Sequence, residues 1–407
     1  MSIALKRRHH LVFLASVFCF WLCTYSYVPI FSLYLEQIPF TYAAIGIILG
    51  SYGITQVLLR FPLGVLLDSL RHLRKHFYVG GFVVAILSGI ILLSSTSFAW
   101  VLTGRLLAGV TAAMWVMATI MYADYFDPGQ SGRAMGTLQF LTVMPQFLSM
   151  VTAGILVEQF GWSIPFWVGI VAAGIGLLFA LFIKEVPQEI ENHRSQRLGK
   201  QVKAVLSIKH LLPLTFVSLF THALLFISIF GFTPVYANAH GVREGQLIWL
   251  MAAFFIPHAA ASLGVAFFNV SKRNEIRLIV LSLIVACFTF FCMPFATTLA
   301  TISLLHGVIG LTVGVVLPLL LSQIASLPQP TLKTSVMGFY QSVYAIGIFI
   351  GPYGAGFVAE HIGIAHIFTL AGIVSLLALA ITMPLLRRAK NETTKSDEAL
   401  RTKVEAS

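Results

Sequence analysis

Residues 135–161, MGTLQFLTVMPQFLSMVTAGILVEQFG, and residues 337–363, MGFYQSVYAIGIFIGPYGAGFVAEHIG, align without a gap at a fixed offset of 202 positions. Met135, Gly136, Gln139, Phe147, Ala153, Gly154, Glu158 and Gly161 recur as Met337, Gly338, Gln341, Phe349, Ala355, Gly356, Glu360 and Gly363, eight identities in twenty-seven positions. Two unrelated apolar stretches share a few residues by chance. A common register for a Glu, its flanking glycines and the segment before them points instead to one half of the chain copying the other.

The composition says what kind of chain is doubled. Of 407 residues, 58% are hydrophobic and 10% charged, whereas a soluble domain carries about 25% charged residues. Such a chain buries its apolar surface in lipid. A spanning helix needs roughly 20 mostly apolar residues. Twelve runs meet that length, near 11–35, 42–67, 76–95, 99–121, 134–157, 163–183, 211–236, 246–268, 277–296, 300–325, 335–359 and 364–386. A membrane β-barrel would show short alternating segments in their place. The expected fold is an all-α integral membrane protein, twelve transmembrane helices in two pseudo-symmetric six-helix halves.

A net charge of +11 could suggest a nucleic-acid partner, but its placement argues for none. Of 26 Lys and Arg, 23 lie in alternate connections or in the tails, including Lys6, Arg71, Arg74, Lys75, Arg133, Lys272, Arg273 and Lys333. The opposite connections hold a single Arg243 beside Glu36, Glu158, Glu244 and Glu360. This asymmetry puts the basic side and both termini in the cytoplasm, and a prokaryotic plasma membrane is the expected location. The basic start before the first run resembles a secretory leader, but the run is too long and lacks a small-residue cleavage site, so it reads as a spanning helix.

The longest internal polar stretch, 184–210, divides the chain into a half at 1–183 and a half at 211–386, and reads as a cytoplasmic linker. Residues 387–407 read as a charged cytoplasmic tail. Cys19, Cys23, Cys287 and Cys292 fall inside predicted helices as buried thiols, and no Cys/His spacing suggests a metal. No cofactor signature occurs, and no nucleotide-binding Gly-rich loop, so work done by the chain would draw on an ion gradient.

Fainter echoes fall where the long one places them. Arg105 to Thr111 resembles His306 to Thr312, and Leu63-Gly64-Val65 recurs as Leu263-Gly264-Val265. With these in view the chain resembles the major facilitator superfamily. The family's loop after its second helix, Gly-x-x-x-Asp with a basic cluster, is met by Gly64, Asp68, Arg71, Arg74 and Lys75, although Ser69 replaces the usual basic residue. The fourth-helix pattern is met by Arg105, Gly109, Ala112 and Ala113. Val28-Pro29-Ile30 with Tyr34 is similar to the first helix of drug-exporter-like members.

The resemblance implies a gate at the cytoplasmic side built on Gly64, Asp68, Arg71 and Arg74. Asp124 is added as a carboxylate partner for Arg71, Arg74 or Arg133. In the eleventh helix Gly347, Gly351 and Pro352 are expected to give a bendable segment. Ionisable groups within spans are functional candidates by default. In the resembled family helices one, four, seven and ten line a central cavity, which implies that Arg105 and His306, at echo positions, face each other across it as a binding or coupling pair, with packing of the first helix to the fourth as the alternative for Arg105. His222 and His258 are read as midplane groups for proton coupling or for helix packing, Arg60 as snorkelling to the inner surface or pairing with Asp124, and Tyr25 as cavity wall. With no carboxylate in mid-helix, Glu36 is the remaining acidic coupling candidate.

The expected function is secondary active transport of a small molecule by a monomer, with proton-coupled export of a drug-like or metabolite substrate as the leading form. Uptake of an organic anion or sugar by symport or uniport is the alternative. A non-transporting sensor is the alternative of another class. An integral-membrane enzyme would need clustered acids, histidines or metal ligands at one face, and the sequence offers none.

Overall fold

The structure is a computed structural model that describes residues 7–66, 71–126, 131–186, 203–267, 272–325, 327 and 333–405. Among the described residues, twelve apolar helices are long enough to cross a bilayer. In chain order they are α1 (Arg7–Gln37), α2 (Tyr42–Leu63), α3 (Arg74–Ser94), α4 (Phe98–Ala123), α5 (Phe140–Phe160), α6 (Ile164–Leu181), α7 (Leu211–Ala239), α8 (Glu244–Val265), α9 (Asn274–Phe295), α10 (Leu299–Ile324), α11 (Ser335–His361) and α12 (His366–Arg387). The apolar runs of the sequence locate all twelve. The largest shift is at α12, where the helix runs on to Glu405 through residues read as the tail; α1 starts earlier, and the helix around α5 runs Ser131–Phe160. Each half contributes six helices, and large apolar side chains such as Phe182, Phe288, Phe295 and Leu304 stand exposed on the outer faces. Those faces suit hydrocarbon, where every backbone polar group must be satisfied within its own helix.

Alternating helices give the bundle two distinguishable ends. One carries Glu36, Glu158, Glu244 and Glu360 and is called here the acidic end. The other carries the basic connections and is called the basic end. Packing differs sharply between them. At the basic end each half has its own hydrophobic cluster, around Phe13, Tyr78 and Tyr122 in one and around Leu214, Leu283 and Leu320 in the other. Toward the acidic end one continuous cluster runs through both halves, from Phe31 and Leu49 to Phe232 and Ala355.

Two helices are interrupted at repeat-related depths. The first breaks between Tyr25 and Val28, with Pro29 opening its second piece. The seventh loosens into a π-turn at Ser228–Phe232, with Pro234 just beyond. Proline supplies no backbone N–H, so the preceding turn cannot close normally. Such π-turns inside helices concentrate at functional positions.

Candidate functional site

The opening repeat builds the seam between the halves. A β-carbon at Gly154 on α5 would collide with the backbone carbonyl of Glu244 at the start of α8. One at Gly356 on α11 would collide with the carbonyl of Tyr42 at the start of α2. Glycine is needed at both positions because backbone lies directly on backbone. One turn further on, the Glu360 carboxylate accepts the N–H of Ala43 at 3.3 Å. Its repeat mate Glu158 lies against Gly245 at the start of α8 and 3.8 Å from Arg243. Each Glu therefore sits at the N-terminus of a helix in the other half, where the helix dipole favours negative charge. The last repeat pair, Gly161 and Gly363, takes positive φ of 92° and 117° and turns the chain after each helix.

Along α2, Gly46, Gly50 and Gly53 bring its backbone onto that of α11 at Pro352, Phe349 and Ala345. On the opposite face of α11, Gly347 and Gly351 meet the backbone of α7 at Leu219 and Ala223. The glycines expected to bend α11 thus serve close packing on α7, and the helix continues unbroken through Pro352. Gly109 on α4 and its echo Gly310 on α10 do the same against Tyr52 on α2 and Phe254 on α8.

On the basic side of the seam, both halves enclose a cavity of about 180 Å³. Its walls are largely aromatic, with Tyr25, Tyr52, Phe226, Phe230 and Phe254 prominent, and the amides of Gln56 and Gln146 also border it. The breaks in α1 and α7 fall at this depth and place Tyr25 and Phe230 with ring centroids 5.9 Å apart. His222 and His258 line the cavity as well. The His222 Nδ1–H donates to the Ser218 carbonyl at 2.8 Å, and the ring stacks on Tyr344 at 4.0 Å. His258 packs near Phe254 and its Nδ1 has no hydrogen-bond partner among the described residues.

Arg60 supplies the cavity's fixed charge, and here the sequence reading needs correction. It neither snorkels to the inner surface nor pairs with Asp124. It lies about five turns along α2 from its start, 3% exposed, on the cavity wall. Nη1 donates to the Tyr344 hydroxyl at 2.8 Å and Nη2 to the Ala112 carbonyl at 3.5 Å, while Nε has no partner. The rule that singles out ionisable residues within spans applies to Arg60 as it does to Arg105. Its position about two turns from Asp68 in the sequence suggested a route to the surface that the fold does not use. Tyr344, which joins Arg60 to His222, carries no comparable signal in the sequence.

Arg105 and His306 require a second correction, because they do not face each other across the cavity. Arg105 is 1% exposed and donates from Nη1 to the Tyr27 hydroxyl at 3.1 Å. Its guanidinium carbon lies 4.4 Å from the Tyr52 ring centroid and 5.3 Å from that of Phe31. It joins α4 to α1 and α2 behind the cavity wall, the packing alternative. His306 donates from Nδ1 to the Ile302 carbonyl at 2.9 Å, leaving Nε2 to accept the Thr233 hydroxyl at 3.0 Å. It joins α10 to α7. Helix length alone could not place either, because it gives depth and not the facing direction.

Of the remaining candidates, Glu36 lies at the acidic end, where its carboxylate accepts the Tyr42 hydroxyl at 3.0 Å, away from the cavity. Asp124 pairs with Arg74 at 3.3 Å, both side chains largely buried, tying the start of α3 to the end of α4 within one half. Asp68 lies outside the described residues. The backbone is helical at Gly64 and forms a short 3-10 turn at Arg71, and the Arg71 side chain lies outside the description.

The comparisons agree with this geometry. The chain is 23% identical over 393 residues to an uncharacterised MFS-type transporter of Methanocaldococcus jannaschii, covering 92% of this chain and 98% of the relative. It is 22% identical over 398 residues to multidrug resistance protein 2 of Bacillus subtilis, covering 96% and 98%. Among solved structures it superposes on the nucleoside transporter NupG with a TM-score of 0.69 at 16% identity, covering 94% of this chain and 99% of that one. An inward-facing, occupied bacterial homologue of the human lysosomal transporter Spinster gives 0.72 at 14% identity, covering 95% and 98%. At such identities the superpositions establish the fold alone. The family model for the Major Facilitator Superfamily matches residues 13–352 and 215–406. Since those matches together run nearly the length of the chain, it belongs to the Major Facilitator Superfamily, a family of membrane transporters.

Proposed function

We propose that this chain is a secondary active transporter that exports a small drug-like or metabolite molecule by alternating access, in exchange for protons. The observation that carries the reading is the contrast between the ends of the bundle. The halves share one core and a glycine-lined seam at the acidic end and keep separate cores at the basic end. The cavity lies between, with wall residues from both halves. Two lobes that rock about such a site expose it to one side and then the other.

The basic end faces the cytoplasm in this reading, with residues 184–210 as the linker and 387–407 as the tail, in a plasma membrane and acting as a monomer. Support for export comes from the likeness to multidrug resistance protein 2 over nearly the whole chain and from the aromatic cavity wall. Among the described residues no carboxylate lines that cavity. Proton coupling therefore falls to His222 and His258, whose side-chain type titrates near physiological pH.

The test is flux in proteoliposomes with amphipathic cations, organic anions and sugars, with and without an imposed pH gradient. Export predicts counter-gradient movement of at least one compound, abolished by collapse of the gradient and weakened in His222→Gln or His258→Gln. Flux that ignores the gradient would overturn the proton coupling. Binding of several compounds with movement of none would overturn transport and leave the sensor.

A further inference from the structure

We infer that the cavity binds a small aromatic anion, a monocarboxylate or its equivalent, with Arg60 as the group that recognises the charge. The inference rests on the transport reading for the cavity's role and deepens it by naming the class of cargo.

A guanidinium carries five N–H donors. Arg60 uses Nη1 on Tyr344 and Nη2, at long range, on the Ala112 carbonyl, and its buried Nε meets nothing. Its charge also lacks a carboxylate partner among the described residues. An orphan Nε is shared by Arg105, so what sets Arg60 apart is how little offsets its charge, a single ring, Tyr344, 5.5 Å from its guanidinium carbon. Arg74 has Asp124, and Arg105 is packed over three aromatic rings. A buried charge without a counter-ion is expensive, more so within a membrane, where such groups mark substrate or ion pathways. Arg60 borders the cavity of about 180 Å³, so the missing counter-ion would be supplied from there. A carboxylate matches the planar fork of a guanidinium.

The walls define the remainder of the ligand. A cavity near 150 Å³ accommodates benzene, and this one, at about 180 Å³, has room for one aromatic ring with a short acidic arm. Tyr25, Tyr52, Phe226 and Phe254 offer ring faces for that body. Gln56 and Gln146 offer amides to a further polar substituent. Tyr344 stacks on His222 and holds Arg60, so a ligand that takes over Arg60 also touches the group proposed for proton coupling.

The experiment is calorimetric binding to the full-length protein in lipid nanodiscs, using phenylacetate, its methyl ester and phenethylamine at low and high chloride. The anion is expected to bind roughly tenfold or more tightly than ester and amine. Arg60→Gln should abolish that preference while leaving the weak ester affinity in place, and Arg60→Lys should restore part of it. Equal affinity for anion, ester and amine in the unmodified protein would overturn the inference without recourse to any variant. So would full displacement by chloride with no preference among the organic probes, which would mark an inorganic-anion site. If the anion binds as expected but no anion crosses proteoliposomes, the transport reading fails and this assignment stands. If flux is seen for amines alone, the assignment fails and transport stands.

Discussion

Replacing Glu158 and Glu360 together with Gln should loosen the acidic end by a calculable amount. Each carboxylate lies at the start of a helix in the opposite half, Glu360 at Ala43 and Glu158 at Gly245. An anion at a helix N-terminus contributes about 0.3–1 kcal/mol when exposed. The Arg243 contact of Glu158 is long and solvent-facing, so it adds little beyond this. Glutamine keeps the size and an acceptor but removes the charge. The double variant therefore weakens the seam by about 0.6–2 kcal/mol, which multiplies the ratio of open to closed acidic ends by roughly 3 to 30. Spin labels at Gln37 on α1 and His361 on α11, both exposed and in opposite halves, report that ratio as a distance distribution. High salt should shrink the difference between the two proteins, because exposed charges are screened within about 10 Å at 0.1 M. If the double variant matches the parent within twofold, the repeated glutamates have some other role and the latch argument is wrong.

Three other substitutions separate the parts of the structure. Gly356→Val forces a side chain against the Tyr42 carbonyl and should cost the closed seam about 1–3 kcal/mol, seen as a longer distance between the same labels and slowed flux. Arg105→Met removes a hydrogen bond and cation–ring contacts worth about 0.5–2 kcal/mol, so the thermal midpoint should fall while the order of preference among ligands stays as in the parent. A changed order would place Arg105 in the binding site after all. Asp124→Asn leaves the buried Arg74 charge with a neutral partner and should destabilise the protein by about 3–5 kcal/mol. A midpoint unchanged by that substitution would show the pair to be solvated.

The spans and the doubling were legible because both are properties of composition along the chain. Run length fixes how many helices cross a bilayer, and the offset of 202 positions needs no structure to be seen. The structure adds the physical reason for the shared residues. Gly154 and Gly356 recur because each lies under the first backbone carbonyl of a helix from the other half, and Gly161 and Gly363 recur because each carries a positive φ. Facing direction was not legible. In helices apolar all round, periodicity does not tell lipid from cavity, so the family's set of cavity-lining helices, which says nothing of facing direction, put Arg105 and His306 in the cavity. Arg60 went the other way for the same reason. Its nearness to a helix end suggested snorkelling, whereas the turn of α2 aims it at Tyr344 and the cavity.

The cavity's charge also bears on direction. With Arg60 fixed as cationic and no carboxylate bordering it among the described residues, the empty site carries net positive charge and an occupied one would be close to neutral. Exchange of one inward proton for one outward monoanion would then transfer two positive equivalents inward. At about 2.3 kcal/mol per charge per 100 mV, the membrane potential alone would contribute about 4.6 kcal/mol per 100 mV to export, before any pH difference. Uptake of the same anion with a single proton would be electroneutral and indifferent to potential. A potassium–valinomycin potential imposed at equal pH on both sides separates the two. Acceleration of anion efflux toward the positive side supports exchange, and flux insensitive to the sign of the potential would refute it in favour of symport.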